Sequence, residues 1–173
     1  MNRYMEEADR LAAENLRTNH GGPFGAVVVR DGEIIGRGNN HVLANNDPTA
    51  HAEVMAIRDA CKNISNYDLS GCELYTSCYP CPMCLSAIIW SNIRRVYYGN
   101  TKEDAAAIGF RDDFIYQYLG SLPGVAPKKD EGPEDAGEEA ALLQDTLELI
   151  PMDREQTILT FERFAAKEDK TIY

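Results

Sequence analysis

The chain has 173 residues, with 17 Lys+Arg against 28 Asp+Glu, a formal net charge of −11 and 44% apolar residues. That length suits one domain with a substantial core, and the composition excludes a wholly disordered chain. The acidic balance disfavours nucleic acid as an obligate partner, because Arg94 with Arg95 forms only a small basic cluster and no basic stripe accompanies it. No apolar run is long enough to span a bilayer, and residues 1–10 carry acids where a signal peptide carries bases, so a cytosolic location is expected. Five cysteines in a reducing compartment point to metal binding or catalysis before a disulfide framework.

Taken in chain order, Met5, Ala8, Leu11, Ala12 and Leu16 recur at helical spacing and predict an amphipathic helix over residues 2–17. Gly and Pro in residues 19–24 end it. Two β-rich runs follow, residues 25–30 and 33–38, joined by Asp31 and Gly32 as a two-residue hairpin. Residues 39–47 read as a loop. Asp47 is expected to cap a second helix, with Pro48 at its first position and residues 49–61 in its body. A third strand is expected over 72–77, a third helix over 81–91 and a fourth strand over 94–99. A short Ala-rich stretch at 104–109 precedes a helical run at 111–119.

Residues 121–137 are rich in Pro, Gly and charge, and together with the acids up to 139 they read as a flexible acidic insertion. Residues 146–152 suit a fifth strand, which Pro151 restricts to an edge or a strand end, and helical character resumes over 153–167. Strands alternating with helices after an initial hairpin predict a three-layer α/β/α fold.

Two segments carry the chemistry: Asp47-Pro48-Thr49-Ala50-His51-Ala52-Glu53, and Cys78-Tyr79-Pro80-Cys81-Pro82-Met83-Cys84. Cys81 and Cys84 are three apart at a helix start, so their sulfurs share one face, and a helix N-terminus favours the thiolates that zinc binds. With His51 they supply three protein ligands, which leave a tetrahedral zinc one position for water. Glu53 is then placed to take a proton from that water and deliver it to a substrate, provided that His51 and Glu53 both lie in the first turn of their helix. Two blander readings stand beside this one. Cys81 and Cys84 could form a redox pair, which leaves His51 and Glu53 unexplained, or Cys78 could close a purely structural zinc site.

His-x-Glu followed by Pro-Cys-x-x-Cys resembles the zinc-binding signature of the cytidine deaminase superfamily. The resemblance runs from about Glu6 to Phe114 and more loosely to Tyr173. It implies a three-layer fold with a mixed five-stranded sheet and one zinc-dependent deaminase domain over residues 1–173. His20 to Val29, Asp47 to Glu53 and Pro80 to Cys84 are most similar to bacterial guanine deaminases and plant guanosine deaminases. The Asp47 to Glu53 stretch is shared with tRNA adenosine deaminases, whereas residues 105–116 (AAAIGFRDDFIY) are similar to the guanine enzymes.

The resemblance assigns zinc to His51, Cys81 and Cys84, and proton transfer to Glu53. It implies that Asn40 hydrogen-bonds a purine ring, that Asp112 faces the ring edge, and that Phe24 lines the pocket. Tyr173 is similar to a terminal tyrosine that an exchanged segment of a partner subunit delivers, which implies a homodimer. The expected reaction is hydrolysis of guanine to xanthine and ammonia. Alternatives are guanosine, another aminopurine, a pterin or a cytosine-type base, a tRNA adenosine substrate, or a zinc-binding module without catalysis. Three features depart from the pattern: Tyr79 replaces a glutamate before Pro80, Arg111 replaces an acid and is expected to pair with Asp112, and the acidic insertion has no counterpart.

Overall fold

The computed structural model describes residues 1–122 and 146–173. Helix α1 (Arg3–Thr18) starts where Asn2 accepts the Tyr4 N–H on its side chain at 2.8 Å, and ends on Asn19 in the left-handed region. Strands β1 (Gly25–Arg30) and β2 (Glu33–Asn39) form the expected hairpin. Asp31 and Gly32 both take positive φ, 51° and 81°, the geometry a two-residue turn needs to follow the strand twist. After them come α2 (Val42–Asn45), α3 (Ala52–Ile64), β3 (Glu73–Cys78), α4 (Pro82–Trp90), β4 (Arg95–Asn100), α5 (Lys102–Ala107) and α6 (Asp113–Ser121). Strand β5 (Glu148–Pro151) and α7 (Arg154–Ala165) complete the described chain.

The sheet has the order β2-β1-β3-β4-β5. β1 pairs antiparallel with β2 and β3, while β3, β4 and β5 run parallel, so the sheet is mixed as expected. Alternation along the strands divides the core between two faces. Ala26, Val28, Leu74 and Val96 point to one face and pack with Ala52, Ala56 and Ala60 of α3 and Ile88 of α4. Val27, Val29 and Tyr75 point to the other and pack with Leu11 of α1. Gly36 and Gly38 let β2 meet the backbone of α3, since a Cβ at either would overlap Ala52, Ala56 or Ala60. That close approach fixes where α3 begins. Among the described residues, no helix is long and apolar enough to cross a membrane.

Several boundaries differ from the sequence expectation. The loop over 39–47 contains the single turn α2. The second long helix starts at Ala52, because Asp47 spends its carboxylate on the N–H and hydroxyl of Thr49, at 2.8 and 2.6 Å, in a local turn. His51 becomes the extended N-cap, at φ −70° and ψ 156°. In the same way Cys81 is the N-cap of α4 and Pro82 its first residue. Thr101 and Asp104 form a reciprocal capping box, which starts α5 two residues before the Ala-rich stretch. β5 lies at the sheet edge and Pro151 is its last residue. The acidic insertion lies, apart from Ser121 and Leu122, outside the described residues.

Candidate active site

The parallel strands end with their carboxyl termini on one side of the sheet, where crevices in open α/β folds form. There β3 delivers Cys78 and the turn through Tyr79 and Pro80 to Cys81, and the N-termini of α3 and α4 meet. His51 Nδ1 lies 3.5 Å from Cys81 Sγ and 3.6 Å from Cys84 Sγ. One donor atom from each of these residues falls within 4.8 Å of the others. A tetrahedral zinc with bonds of ~2.3 Å to sulfur and ~2.05 Å to nitrogen separates such atoms by about 3.6 Å, so the three side chains fit that metal. Cys78 does not join them; its thiol donates to the Thr101 carbonyl at 3.4 Å. All five cysteines are free, so no disulfide competes for the pair.

The electrostatics suit a cation. The Cys84 thiol donates to Cys81, and with His51 it brings the Cys81 pKa down to about 4 against the opposing effect of burial. Cys84 is pushed well above the ordinary thiol range by that same bond to Cys81, by burial and by Glu53. Burial works against a charged His51, but the Cys81 thiolate, Glu53 and Asp112 outweigh it and raise its pKa. A bound divalent ion favours the deprotonated form of every ligand and displaces these protons.

Glu53 is 6% exposed. Its Oε1 accepts from Thr76 Oγ1 at 3.2 Å and its Oε2 accepts from Cys84 Sγ at 3.4 Å. Burial, then the Cys81 thiolate, raises its pKa. Residues two apart diverge within a helix, but His51 precedes α3 and Glu53 is its second residue, so the extended N-cap turns both toward one point. The convergence that the sequence reading required is present.

A cavity of about 290 Å³ opens over this cluster, lined by Phe24, Asn40, His51, Glu53, Cys81, Asp112 and Tyr173 together with Tyr79, Lys102, Phe110 and Arg111. Asn40 is 1% exposed, and its Oδ1 accepts from the Val42 N–H at 3.1 Å and the Tyr173 hydroxyl at 2.6 Å. With that oxygen committed twice, Nδ2 is the Asn40 group left for a ligand. Asp112 is the N-cap residue of α6 but makes no side-chain capping bond. Burial and the Cys81 thiolate raise its pKa.

Phe24 packs edge-on to Phe110 and Phe161, with centroids 5.1 and 5.5 Å away, and so serves both core and cavity. Tyr173 enters the cavity of its own chain, accepting the Gly22 N–H at 3.0 Å and lying edge-on to Phe110. Arg111 pairs with Asp113 at 2.9 Å rather than with Asp112, which corrects the expected pairing: α6 turns the carboxylate of Asp113 toward the guanidinium. Tyr79 packs edge-on to Tyr98 with centroids 5.0 Å apart.

Four contributors escaped the sequence reading. Phe110 and Lys102 line the cavity, Thr76 holds Glu53, and Asn15 holds the carbonyl of Asn40. Asn15 left a trace, because it is a polar residue on the apolar face of α1. Thr76 left none beyond its place in a strand.

Comparison with known proteins agrees with this geometry. The sequence profile of the cytidine and deoxycytidylate deaminase zinc-binding region matches residues 1–100. The chain is similar to the guanine deaminase of Bacillus subtilis, 54% identical over 116 residues that cover 67% of this chain and 74% of that protein. The crystal structure of that guanine deaminase superposes with a TM-score of 0.67 at 45% identity, covering 83% of this chain and 94% of that one. A guanine deaminase from Nitrosomonas europaea gives a TM-score of 0.71 at 27% identity, covering 94% and 83%. The tRNA-specific adenosine deaminase of Haemophilus influenzae is 45% identical over 97 residues, and the chain spans only 56% of its length. A matching profile over more than half the chain, seated on a His-Cys-Cys cluster with an adjoining buried glutamate, places this protein in the cytidine and deoxycytidylate deaminase zinc-binding family.

Proposed function

We propose that this chain is a zinc-dependent guanine deaminase, converting guanine and water to xanthine and ammonia. The observation that carries the reading is Glu53, buried beside Cys84 and open to a cavity whose polar lining includes Asn40 and Asp112. A purely structural metal site has no use for that carboxylate. The cavity lies at the small end of the ~300–1,000 Å³ typical of ligand sites, which suits a single base better than a polynucleotide. Similarity to two guanine deaminases supports the same substrate.

His51, Cys81 and Cys84 hold the zinc in this reading. When bound, the metal supplies Lewis acidity that makes a water molecule acidic near neutral pH. Glu53 accepts the proton of the attacking water, whose oxygen forms the bond to C2 of the base. Glu53 hands that proton to the ring nitrogen, then takes the proton of the new C2 hydroxyl and passes it to the amine. The C2–N bond breaks as the C2 carbonyl forms, and ammonia leaves. The Asn40 Nδ2 donates to an acceptor on the ring, Asp112 takes the N–H groups of the opposite edge, and Phe24 and Tyr173 flank the ring plane.

Burial of apolar surface by a second subunit belongs to the same reading. Trp90 is 84% exposed on the apolar α4, and Phe114 and Tyr118 are exposed on α6, which supports a homodimer. Light scattering that returns a monomer mass at working concentration would contradict that assembly. The substrate is tested by ammonia release from guanine, guanosine, adenine, cytosine, a pterin and tRNA, with zinc measured on the same sample. Guanine is expected to be turned over fastest and to yield xanthine. Turnover confined to any other member of the panel overturns the assignment.

A further inference from the structure

Asn15 is fully buried in α1, on the stripe that also buries Met5, Ala8, Leu11 and Ala12. Asparagine is a poor residue for a helix interior, because its side chain competes for backbone groups. An aliphatic side chain would satisfy that face. Its amide nitrogen instead donates to the Gly22 and Asn40 carbonyls, each at 2.8 Å. Its oxygen accepts from Asn39 Nδ2 and from Thr18 Oγ1, each at 3.1 Å. Two N–H groups and two lone pairs are therefore all used.

The two carbonyls belong to different walls of the cavity. Gly22 lies in the turn before β1, and its N–H donates to the Tyr173 hydroxyl. Asn40 follows β2, and its side-chain oxygen accepts from the same hydroxyl. Gly21 completes the arrangement, since a Cβ there would overlap the Asn40 side-chain oxygen. One buried amide on α1 thus ties together the two segments between which Tyr173 is bound.

We propose that Asn15 is a positioning residue that acts through Asn40, fixing the Asn40 main chain by its carbonyl so that the side-chain amide, its oxygen taken by Val42 and Tyr173, offers the base only an N–H donor. The proposal rests on the deaminase reading of the cavity. A substrate must then present an acceptor lone pair toward Asn40, and an analogue that places an N–H or C–H there loses the contact.

The test is a double-mutant cycle on the zinc-loaded full chain. Asn15→Ala is expected to raise KM for the base about tenfold while kcat changes by less than about threefold and zinc content stays at the wild-type level. In an Asn40→Ala background the same change is expected to alter kcat/KM by less than about twofold, because the residue it acts through is already gone. Equal losses in the two backgrounds overturn the proposal, as does a fall in kcat alone. If Asn15→Ala fails to fold, Asn15→Ser, which keeps one donor, enters the cycle with the same criteria. The side-chain amide of Asn40 in a nitrogen-15 spectrum gives a readout independent of turnover. Its signal is expected to shift and broaden in the Asn15 variant, and an unchanged signal overturns the tether. Absence of ammonia release by the wild-type chain from every base would instead count against the reaction, and the amide signal would still decide the role of Asn15.

Discussion

The Cys84 sulfur lies 3.4 Å from Oε2 of Glu53, so the proposed proton carrier is in contact with a proposed metal ligand. Two helix N-termini create this contact. Cys84 is the third residue of α4 and Glu53 the second of α3, and each helix is preceded by an extended N-cap that is a proposed ligand, Cys81 and His51. Removing a ligand should therefore empty the site without unfolding the sheet behind it. His51→Ala is expected to lower zinc from about one per chain to less than about a tenth, since two thiolates alone do not form a complete catalytic set. Atomic emission on the purified variant checks this, and full occupancy would remove His51 from the ligand set.

The hydroxyl of Thr76 holds the other oxygen of Glu53 at 3.2 Å. Thr76→Val keeps the β-branched shape and removes only that bond. The expected outcome is a fall in kcat of about tenfold with zinc unchanged, the range seen when a partner of a metal-site residue is lost. Unaltered kcat would show that Glu53 is oriented by other contacts.

Much of this arrangement was legible in the sequence. The hairpin at Asp31 and Gly32, all five strands and the shared face of Cys81 and Cys84 follow from periodicity, turn chemistry and spacing. The convergence of His51 and Glu53 on them did not follow from spacing, because residues two apart diverge within a helix. Helix starts were harder, for a physical reason. Asp47 and Pro48 form a common N-terminal signal, but the carboxylate of Asp47 bonded locally to Thr49, and the start moved to Ala52. Long-range hydrogen bonds were not legible at all. Asn15 and Asn40 are 25 positions apart, and nothing local announces that one side chain will reach the other's carbonyl. Arg111 was read against its neighbour Asp112, whereas the turn into α6 presents Asp113.

Close packing of β2 on α3 sets the site at a distance. A methyl group at Gly38 would overlap the backbone of Ala52 and Ala56 near the start of α3. Gly38→Ala is expected to cost more than about 2 kcal/mol, because backbone atoms rather than a flexible side chain must move. Urea denaturation measures the loss. A variant as stable as the wild type would mean that β2 and α3 can separate freely.

Acid should weaken the fold through Glu7. Arg10 donates to it at 2.7 Å and Arg37 at 2.9 Å, and they hold its pKa at about 2 against the ordinary 4.5. A carboxylate with a lowered folded pKa contributes stability that is complete above about 4.5 and is lost as pH falls toward about 2. Both arginines are about half exposed, so solvent screening limits the contribution to about 1 kcal/mol. The stability difference between wild type and Glu7→Gln should therefore be full at pH 7 and shrink steadily between pH 4.5 and 2. A difference that stays constant across that interval would contradict the pairing.

Glu53→Gln separates metal binding from proton transfer in one protein. The substitution preserves size and burial but leaves no carboxylate to accept a proton. Ammonia release from guanine should fall at least about a thousandfold while the variant retains one zinc per chain. Turnover near the wild-type rate, with the zinc in place, would show that Glu53 carries no proton and that the catalytic account is wrong.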